Sequence, residues 1–457
     1  GMGSGDLLRE LLQRSQLHIT VAENNPEKVR NLRDELAACG MYGRRTAVIQ
    51  ADPAHFSVQP YLFSMVISED AVEAGLKADR TTFRSTLDLL RPYGGIAWLG
   101  IPDDRGQRFV EAAASADVDQ VAVQTGDGHL FARRTGPLSG AGQWTHQYSD
   151  PANTQLSRDS RVQLPLGVLW FGGPSNHNIL PRHARGPKPQ VAGGRQVFLG
   201  VETIAARCVY TGRQLWERKF PGIGHPFTNL ALEEKWAKGE QVYMNNIPGA
   251  SLIGSPFVTL PDSIYLRHER SIYRLDPDTG ETLDEFELPG RSVKDIYDDE
   301  DAPEWGHISV RGDYLIVTWE PYIFEDQKLG WSKSYSGRSS RCLGVMDRYS
   351  GELLWQRSAD IGFRHGAIVS ADDTLYVIDG LSEKALEHLS RRGQKPEDAS
   401  TILALNLRTG RELWKRNSSV FGTFLQYCAE HNILLEGGNQ DIRRGAAGEP
   451  LRIAASR

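Results

Sequence analysis

The chain has no run of apolar residues approaching the ~18 that an α-helix needs to cross a bilayer, and it has only four cysteines in 457 residues. The first absence removes a helical membrane span from the reading. Cys39, Cys208, Cys342 and Cys428 stand far apart, with no C-x-x-C or C-x-x-C-H spacing. That leaves no motif for zinc, dithiol exchange or covalent haem, and the four read as buried thiols behaving as small hydrophobes. A run of Lys and Arg interleaved with aromatics is also missing, and the net charge of −6 is small for this length. Nucleic acid is therefore not an expected partner. The first residues lack the basic and apolar regions of a signal peptide.

Glycine, in contrast, is abundant. Its 46 residues, with 40% hydrophobic and 24% charged residues, describe a globular, turn-rich and hence β-rich protein. The length suggests two or three units.

Residues 1–135 alternate strands with helices, which implies a parallel sheet with right-handed crossovers. Gly1, Gly3 and Gly5 form a turn feeding a helix from Asp6, and Leu17 to Ala22 reads as a strand ending on Glu23. Asn25 and Pro26 then open a second helix. Strands follow at 46–50, ending before Asp52, at 63–68 and at 96–100, with helices at 80–90 and 109–116. Asp127-Gly128 between two alternating runs is a hairpin signal. In such a fold ligands bind at the carboxyl ends of the strands, where glycines admit a ligand to the backbone and an acid can take both ribose hydroxyls. Glu23 lies 18 positions after Gly5, close to the spacing for that acid. The alternative reading is that Glu23 and Asp52 only cap the helices that follow them.

These residues resemble class I S-adenosylmethionine-dependent methyltransferases. Gly1-x-Gly3-x-Gly5 resembles their first motif, Glu23 their ribose acid, Asp52 the residue near the adenine, and Leu90-Arg91-Pro92-Tyr93-Gly94-Gly95 the turn after their fourth-strand helix. The resemblance implies S-adenosylmethionine as cofactor, bound by Gly1, Gly3, Gly5, Glu23 and Asp52. The strand that should precede the glycine motif is absent, so the sheet is expected to lack its central first strand.

From residue 165 onward the chain repeats itself. Thr211-Gly212-Arg213-Gln214-Leu215-Trp216, Thr279-Gly280-Glu281-Thr282-Leu283-Asp284, Ser350-Gly351-Glu352-Leu353-Leu354-Trp355 and Thr409-Gly410-Arg411-Glu412-Leu413-Trp414 each follow an alternating strand. Two further short strands stand upstream of each, and four antiparallel strands per unit make a propeller blade. The units resemble quinoprotein, or PQQ-like, repeats with their Asp-x-x-Thr-Gly-x-x-x-Trp motif. Asp276 and Asp347 keep the leading acid, Cys208 and Asn406 replace it, and Asp284 stands where the tryptophan should be. Trp216, Trp355 and Trp414 are expected to be buried between blades. A fifth unit begins at Phe424 without reaching such a motif, and Pro165 to Trp170 resembles a closing strand, so the ring is expected to be incomplete and both chain ends to be cut.

The expected organisation is thus an α/β Rossmann-like methyltransferase fold at 1–135, a linker at 136–164 and an all-β propeller with PQQ-like repeats at 165–457. In order and wording, Trp144-Thr145-His146 followed by Asp150 and Asn153 resembles fused methyltransferase-like and quinoprotein-like proteins of the Planctomycetes type. That resemblance implies export, although no signal is present in this chain. Arg182, His183, His307 and His365 lie at or before the first strands of blades, Arg364 preceding the last. They could converge on one ligand or metal, or each histidine could bond a neighbouring carbonyl. A quinone dehydrogenase would need a vicinal cysteine pair and a carboxylate-based calcium site, and neither is visible, so PQQ is not expected. Two classes remain. One is a module binding a protein or small molecule through propeller loops, chiefly 221–250, 320–340 and 381–400. The other is an active S-adenosylmethionine-dependent methyltransferase with the propeller as substrate platform.

Overall fold

The computed structural model describes residues 3–118, 120–172, 180, 186–227, 238–239, 250, 254–288, 304–323, 338–381, 390–391, 393, 400–438 and 453–456. The three loop regions expected to carry binding lie largely outside these residues, as do Gly1, Arg182 and His183. Two compact units emerge: Gly1–Ala141 with Ser160–Phe171 and Tyr210–Gly212, and Gly142–Asp159 with Gly172–Val209 and Arg213–Arg457.

The first unit runs α1 (Asp6–Arg14), β1 (Ile19–Glu23), α2 (Pro26–Ala38), β2 (Thr46–Gln50), β3 (Met65–Ser68), α3 (Arg80–Leu89), β4 (Ile96–Gly100), α4 (Gly106–Ser115), β5 (Val121–Gly126) and β6 (His129–Arg134). Helix α2 begins where expected because the Asn25 side chain accepts from the backbone N–H groups of Glu27 and Lys28, satisfying two of the orphan donors of a helix start. Asp127 and Gly128, at φ 53° and 74°, make the tight turn of the β5–β6 hairpin. Strands β1 and β2 pair in parallel, β3 and β4 likewise, and β6 joins β4 antiparallel. They form two separate sheets, β1-β2 and β3-β4-β6-β5. Among the described residues no strand bridges β1 to β3.

The second unit consists of successive antiparallel sheets. β7 (Gln190–Ala192), β8 (Arg195–Leu199), β9 (Thr203–Cys208) and β10 (Gln214–Lys219) form the first. The second holds β11 (Phe257–Thr259), β12 (Ile264–His268), β13 (Ser271–Leu275) and β14 (Thr282–Glu287). The third and fourth run together as β15 (Trp305–Arg311), β16 (Tyr314–Ile323), β17 (Arg338–Asp347), β18 (Leu353–Ala371), β19 (Thr374–Asp379), β20 (Thr401–Asn406) and β21 (Glu412–Arg416). Strand β18 is shared: its start closes the third blade on β17 and its end opens the fourth on β19. The carboxylate of Asp379 holds the passage between the two by accepting from the N–H groups of Asp360, Ile361 and Gly362 at 2.7, 3.0 and 2.7 Å. A fifth, three-stranded sheet contains β22 (Phe424–Cys428), β23 (Ile433–Gly437) and β24 (Ile453–Ser456).

The repeated motif docks each blade on the next. A β-carbon at Gly280 would lie 2.6 Å from the Trp216 ring and one at Gly410 2.6 Å from Trp355, so only glycine lets the indole lie flat on the turn. Both glycines are also at positive φ, 75° and 69°, which favours the same residue. The indole N–H groups donate to carbonyls three residues before these glycines, Pro277 at 3.0 Å and Leu407 at 2.8 Å. The leading acid shapes the turn itself. Asp276, Asp347 and Asn406 each accept from the backbone N–H and hydroxyl of the Thr or Ser three residues on. At Asp347 those bonds, first the Ser350 N–H, hold the carboxyl below the usual range. Where Asp284 replaces the tryptophan, Phe286 supplies the plate, its ring 2.4 Å from a β-carbon at Gly351. Within the first unit Trp170 covers Gly212 in the same manner.

Two expectations fail here. Of the three tryptophans expected to be buried, only Trp216 is: Trp355 is half-buried although it lies on Gly410, and Trp414 is 39% exposed, because among the described residues no turn glycine lies against it; it leans on Tyr376 instead, with ring centroids 5.9 Å apart. Cys39 is exposed and Cys342 and Cys428 are only half-buried, leaving Cys208 as the one thiol in a core position.

The stretch expected to be a linker also differs. Residues 142–159 belong to the propeller unit and form a strap bonded to the first strand of every sheet. Trp144 exchanges both backbone bonds with Val191 of β7 at 2.8 and 2.7 Å. Thr145 O accepts from Thr259 N of β11, Pro151 O from Ser370 N of β18, and Ala152 O from Tyr427 N of β22. In the third blade a side chain takes this place: His146 Nε2 accepts from Val310 N at 3.1 Å. The Asp150 carboxylate accepts from Ala152 N, Thr154 N and the Thr154 hydroxyl, and so turns the strap from the third blade towards the fifth.

Replacing Trp216, which is 8% exposed, with Ala is expected to lower the unfolding free energy in urea by ~3–5 kcal/mol. Trp414→Ala should change it by less than about 1 kcal/mol. Equal losses from the two substitutions would contradict the plate-on-turn docking.

Candidate functional site

Beneath the strap, the first strands of the second, third and fourth blades enclose a cavity of about 40 Å³, room for roughly three waters at ~10–15 Å³ each. Its wall includes His146 and Tyr148 from the strap, Phe257 from β11, His307 and Ser309 from β15, and His365 from β18.

The three histidines have distinct settings. His146 is buried, and because Nε2 accepts the Val310 N–H it carries no proton there. The ring proton therefore sits on Nδ1, 2.7 Å from the Thr145 hydroxyl. Burial pushes the His146 pKa down to about 3, with the charge of His307 adding to the effect. His307 is bonded through its backbone N–H to the Thr318 hydroxyl at 2.6 Å, while its ring Nε2 has no partner. Burial, then the nearby Arg267, brings its pKa down to about 4. His365 is buried with Nε2 at 2.7 Å from the Ser340 hydroxyl, which stands 2.9 Å from that of Thr318. Its Nδ1 has no partner, and burial, then His307, Arg267 and Arg338, holds its pKa well below the ordinary value. The rings of His307 and His365 lie 6.1 Å apart.

Gly306 makes this arrangement possible. A β-carbon there would fall 2.4 Å from Ser340 Oγ, 2.5 Å from Thr318 Oγ1 and 2.9 Å from His365 Nε2.

Of the histidines singled out in the sequence, His307 and His365 come together, and Arg364 is buried beside His365. His183 and Arg182 lie outside the described residues. Sequence reasoning missed His146, although the Trp144-Thr145-His146 wording marked its neighbourhood. Among the described residues no group of three His, Cys, Asp or Glu side chains has the spacing to hold a metal ion, so the cavity wall offers hydrogen bonds rather than a ligand cage.

In the first unit Gly3 and Gly5 occupy left-handed conformations, φ 53° and 81°, ahead of α1. The Ser4 hydroxyl accepts from Asp6 N at 3.3 Å at that helix start. A β-carbon at Gly3 would lie 3.1 Å from Glu69 Oε2, beyond the end of β3. Glu23 is buried at the end of β1, and one of its oxygens accepts from Asn25 N at 3.0 Å. Asp52 is more fully engaged: Oδ1 accepts from Ala54 N at 3.0 Å and Oδ2 meets His55 Nδ1 at 2.7 Å. Asp52 thus serves as a cap for the turn that follows it.

The neutral histidines set a pH dependence. In the unfolded chain they take up protons near pH 6.5, whereas in the folded chain His307 and His146 do so only near 4 and 3. Below about 6.5 the unfolded state therefore binds more protons, and stability, complete above that value, falls as the pH drops towards about 4. Urea midpoints taken between about pH 6.5 and 5, above the carboxylate range, should decline and should decline less in His307→Gln. A flat profile in the parent chain would contradict burial of neutral rings. Gly306→Ala should displace Ser340 and lower the midpoint at every pH.

No family model matches the chain, and no curated protein matches it. Solved structures are similar over parts of it. A quinohemoprotein alcohol dehydrogenase from Comamonas testosteroni shares 15% identity over 65% of this chain and 46% of its own, with a TM-score of 0.36. BamB from Moraxella catarrhalis shares 11% over 60% of this chain and 95% of its own, with a TM-score of 0.25. A Methanococcus maripaludis protein named for S-adenosyl-L-methionine-dependent methyl transfer shares 14% over 30% and 74%, with a TM-score of 0.26. The chain spans less than half the length of the Comamonas enzyme and of a second quinohemoprotein alcohol dehydrogenase, from Pseudomonas putida HK5. At low identity and over partial lengths, the chain is similar both to quinoprotein-type propellers and to methyltransferases.

Proposed function

We propose that this chain is a binding module: a propeller of PQQ-like repeats that takes a small ligand in the cavity beneath its strap, joined to an α/β unit that binds S-adenosylmethionine. The observation that carries the propeller reading is the pair of partnerless ring nitrogens, His307 Nε2 and His365 Nδ1, in the wall of one cavity. Buried polar atoms are rarely left unpaired, because each costs about 1–3 kcal/mol. A ligand with matching groups removes that cost, and the rigid blades on either side keep the two nitrogens in place for it.

For the α/β unit, support comes from Gly3 and Gly5 at positive φ ahead of α1 and from the buried Glu23. Gly3 and Gly5 would let the backbone approach the amino-acid end of the cofactor, and Glu23 would accept from the ribose hydroxyls. The bound cofactor would supply an activated methyl group. Propeller loops remain the proposed surface for a protein partner.

Calorimetric titration of the full chain with S-adenosylmethionine tests the α/β half. Binding is expected, and Glu23→Ala should weaken it by ~1.5–3 kcal/mol, the worth of hydrogen bonds to a charged group. Equal affinity with and without the Glu23 carboxylate would leave that unit a scaffold. For the propeller half, ring ¹⁵N resonances of His307 and His365 should shift on exposure to small polar compounds, and resonances indifferent to all of them would contradict the reading.

A further inference from the structure

The histidine end of the cavity is electrostatically one-sided. Arg267, on β12, is partly buried; it donates from Nη1 to Trp305 O at 3.0 Å, and its Nε has no partner. Arg338, at the start of β17, is likewise partly buried. Among the described residues neither guanidinium has a carboxylate within the 4.0 Å of an ion pair. Elsewhere in the same unit, buried arginines are matched: Arg348 by Asp262 at 2.8 Å and Arg195 by Asp278 at 3.1 Å. Neither arginine lines the cavity, but Arg267 bonds the carbonyl of Trp305, two residues before His307, and both charges act on His365; with two partnerless nitrogens in the cavity wall, this positive surrounding favours a negative guest.

Resting on the binding-module reading above, we propose that this end of the cavity is a small-oxyanion site. A carboxylate or phosphate group is held between His307 Nε2 and His365 Nδ1, with Arg267 and Arg338 supplying the opposing charge.

The protonation states agree with this assignment. The Ser340 hydroxyl donates to that of Thr318 and so accepts from His365 Nε2; Nδ1, the nitrogen without a partner, then presents a proton in the imidazolium form, which a bound anion favours. His307, whose Nε2 is equally without a partner, can present a proton there. Arg267 is brought down to about 10 by burial and then by Arg338, with Glu304 opposing, so it stays charged at neutral pH. Arg338 is lowered by burial, again with Glu304 opposing. One acid, Glu304, therefore opposes two guanidinium groups. A cavity of about 40 Å³ accommodates a group the size of acetate or phosphate and excludes a large cofactor. An anion also favours the protonated imidazoles. With His146, His365, Arg267, Arg338 and Glu304 as the charged or titratable groups facing His307, binding should tighten as pH falls from about 7 towards the depressed pKa values.

Calorimetry of the full chain at low salt and about pH 6, with acetate in one arm and inorganic phosphate in the other, tests the proposal. One anion is expected to bind with 1:1 stoichiometry, and the arm that responds names the chemistry. Arg338→Gln, chosen because among the described residues its side chain makes no hydrogen bond or ion pair, and Arg267→Gln should each weaken binding ~10-fold or more, with urea midpoints confirming that both variants fold. Binding unchanged by both substitutions overturns the site. If neither anion binds but glycerol or acetamide shifts the His307 and His365 ring resonances, the anion assignment is overturned while the binding module stands. If no probe acts, both fall.

Discussion

A propeller blade leaves its first strand with one edge unpaired, and the N–H groups on that edge must find acceptors. Here a single irregular segment provides them. From Trp144 to Thr154 the strap offers one acceptor after another to Val191, Thr259, Val310, Ser370 and Tyr427, four of them backbone carbonyls and one the His146 ring, so five blades share one segment of partners. Side chains reinforce it: Asn153 donates to Leu425 O and Gln426 to Thr154 O, at 3.1 and 2.9 Å. Without such acceptors each buried N–H would cost about 1–3 kcal/mol, and the centre of the propeller would have no floor. The cavity exists because this floor spans the channel above Phe257 and His365.

The outer edges are held by a different device. Each aromatic plate lies on the turn glycine of the next blade, and the indole N–H is satisfied by that turn's own carbonyl. The hub fixes the order of the blades while the plates fix their spacing. Strand β18, shared between two blades and pinned by Asp379, adds a covalent version of the same link. The site lies beside this link, among the first strands of the second, third and fourth blades.

Much of this was legible in the sequence, and for local reasons. The Thr-Gly turns, the leading acids that cap them and the alternating strands are short-range patterns, so strands such as Thr401–Asn406 fall where the alternation places them. The split sheet of the first unit followed from counting strands. What escaped was long-range. The strap has neither helical nor strand period, and its bond from His146 reaches 164 residues along the chain. Phe286 supplies the plate two positions after Asp284, on the same face of β14. Trp414 had its motif but no covering turn, and burial depends on the neighbour as much as on the ring. His307 and His365 were visible as histidines near first strands, but Gly306, Thr318 and Ser340, which orient them, carry no recognisable motif.

The central claim is that the strap and the first strands open and close as one body. Native-state hydrogen exchange at Thr259, Val310, Ser370 and Tyr427 measures this most directly. The four amides should share one opening free energy, and Asp150→Ala, which removes the carboxylate that shapes the strap, should lower it at all four together. Amides that exchange with unrelated free energies, or that ignore Asp150→Ala, would mean that the blades stand without the strap.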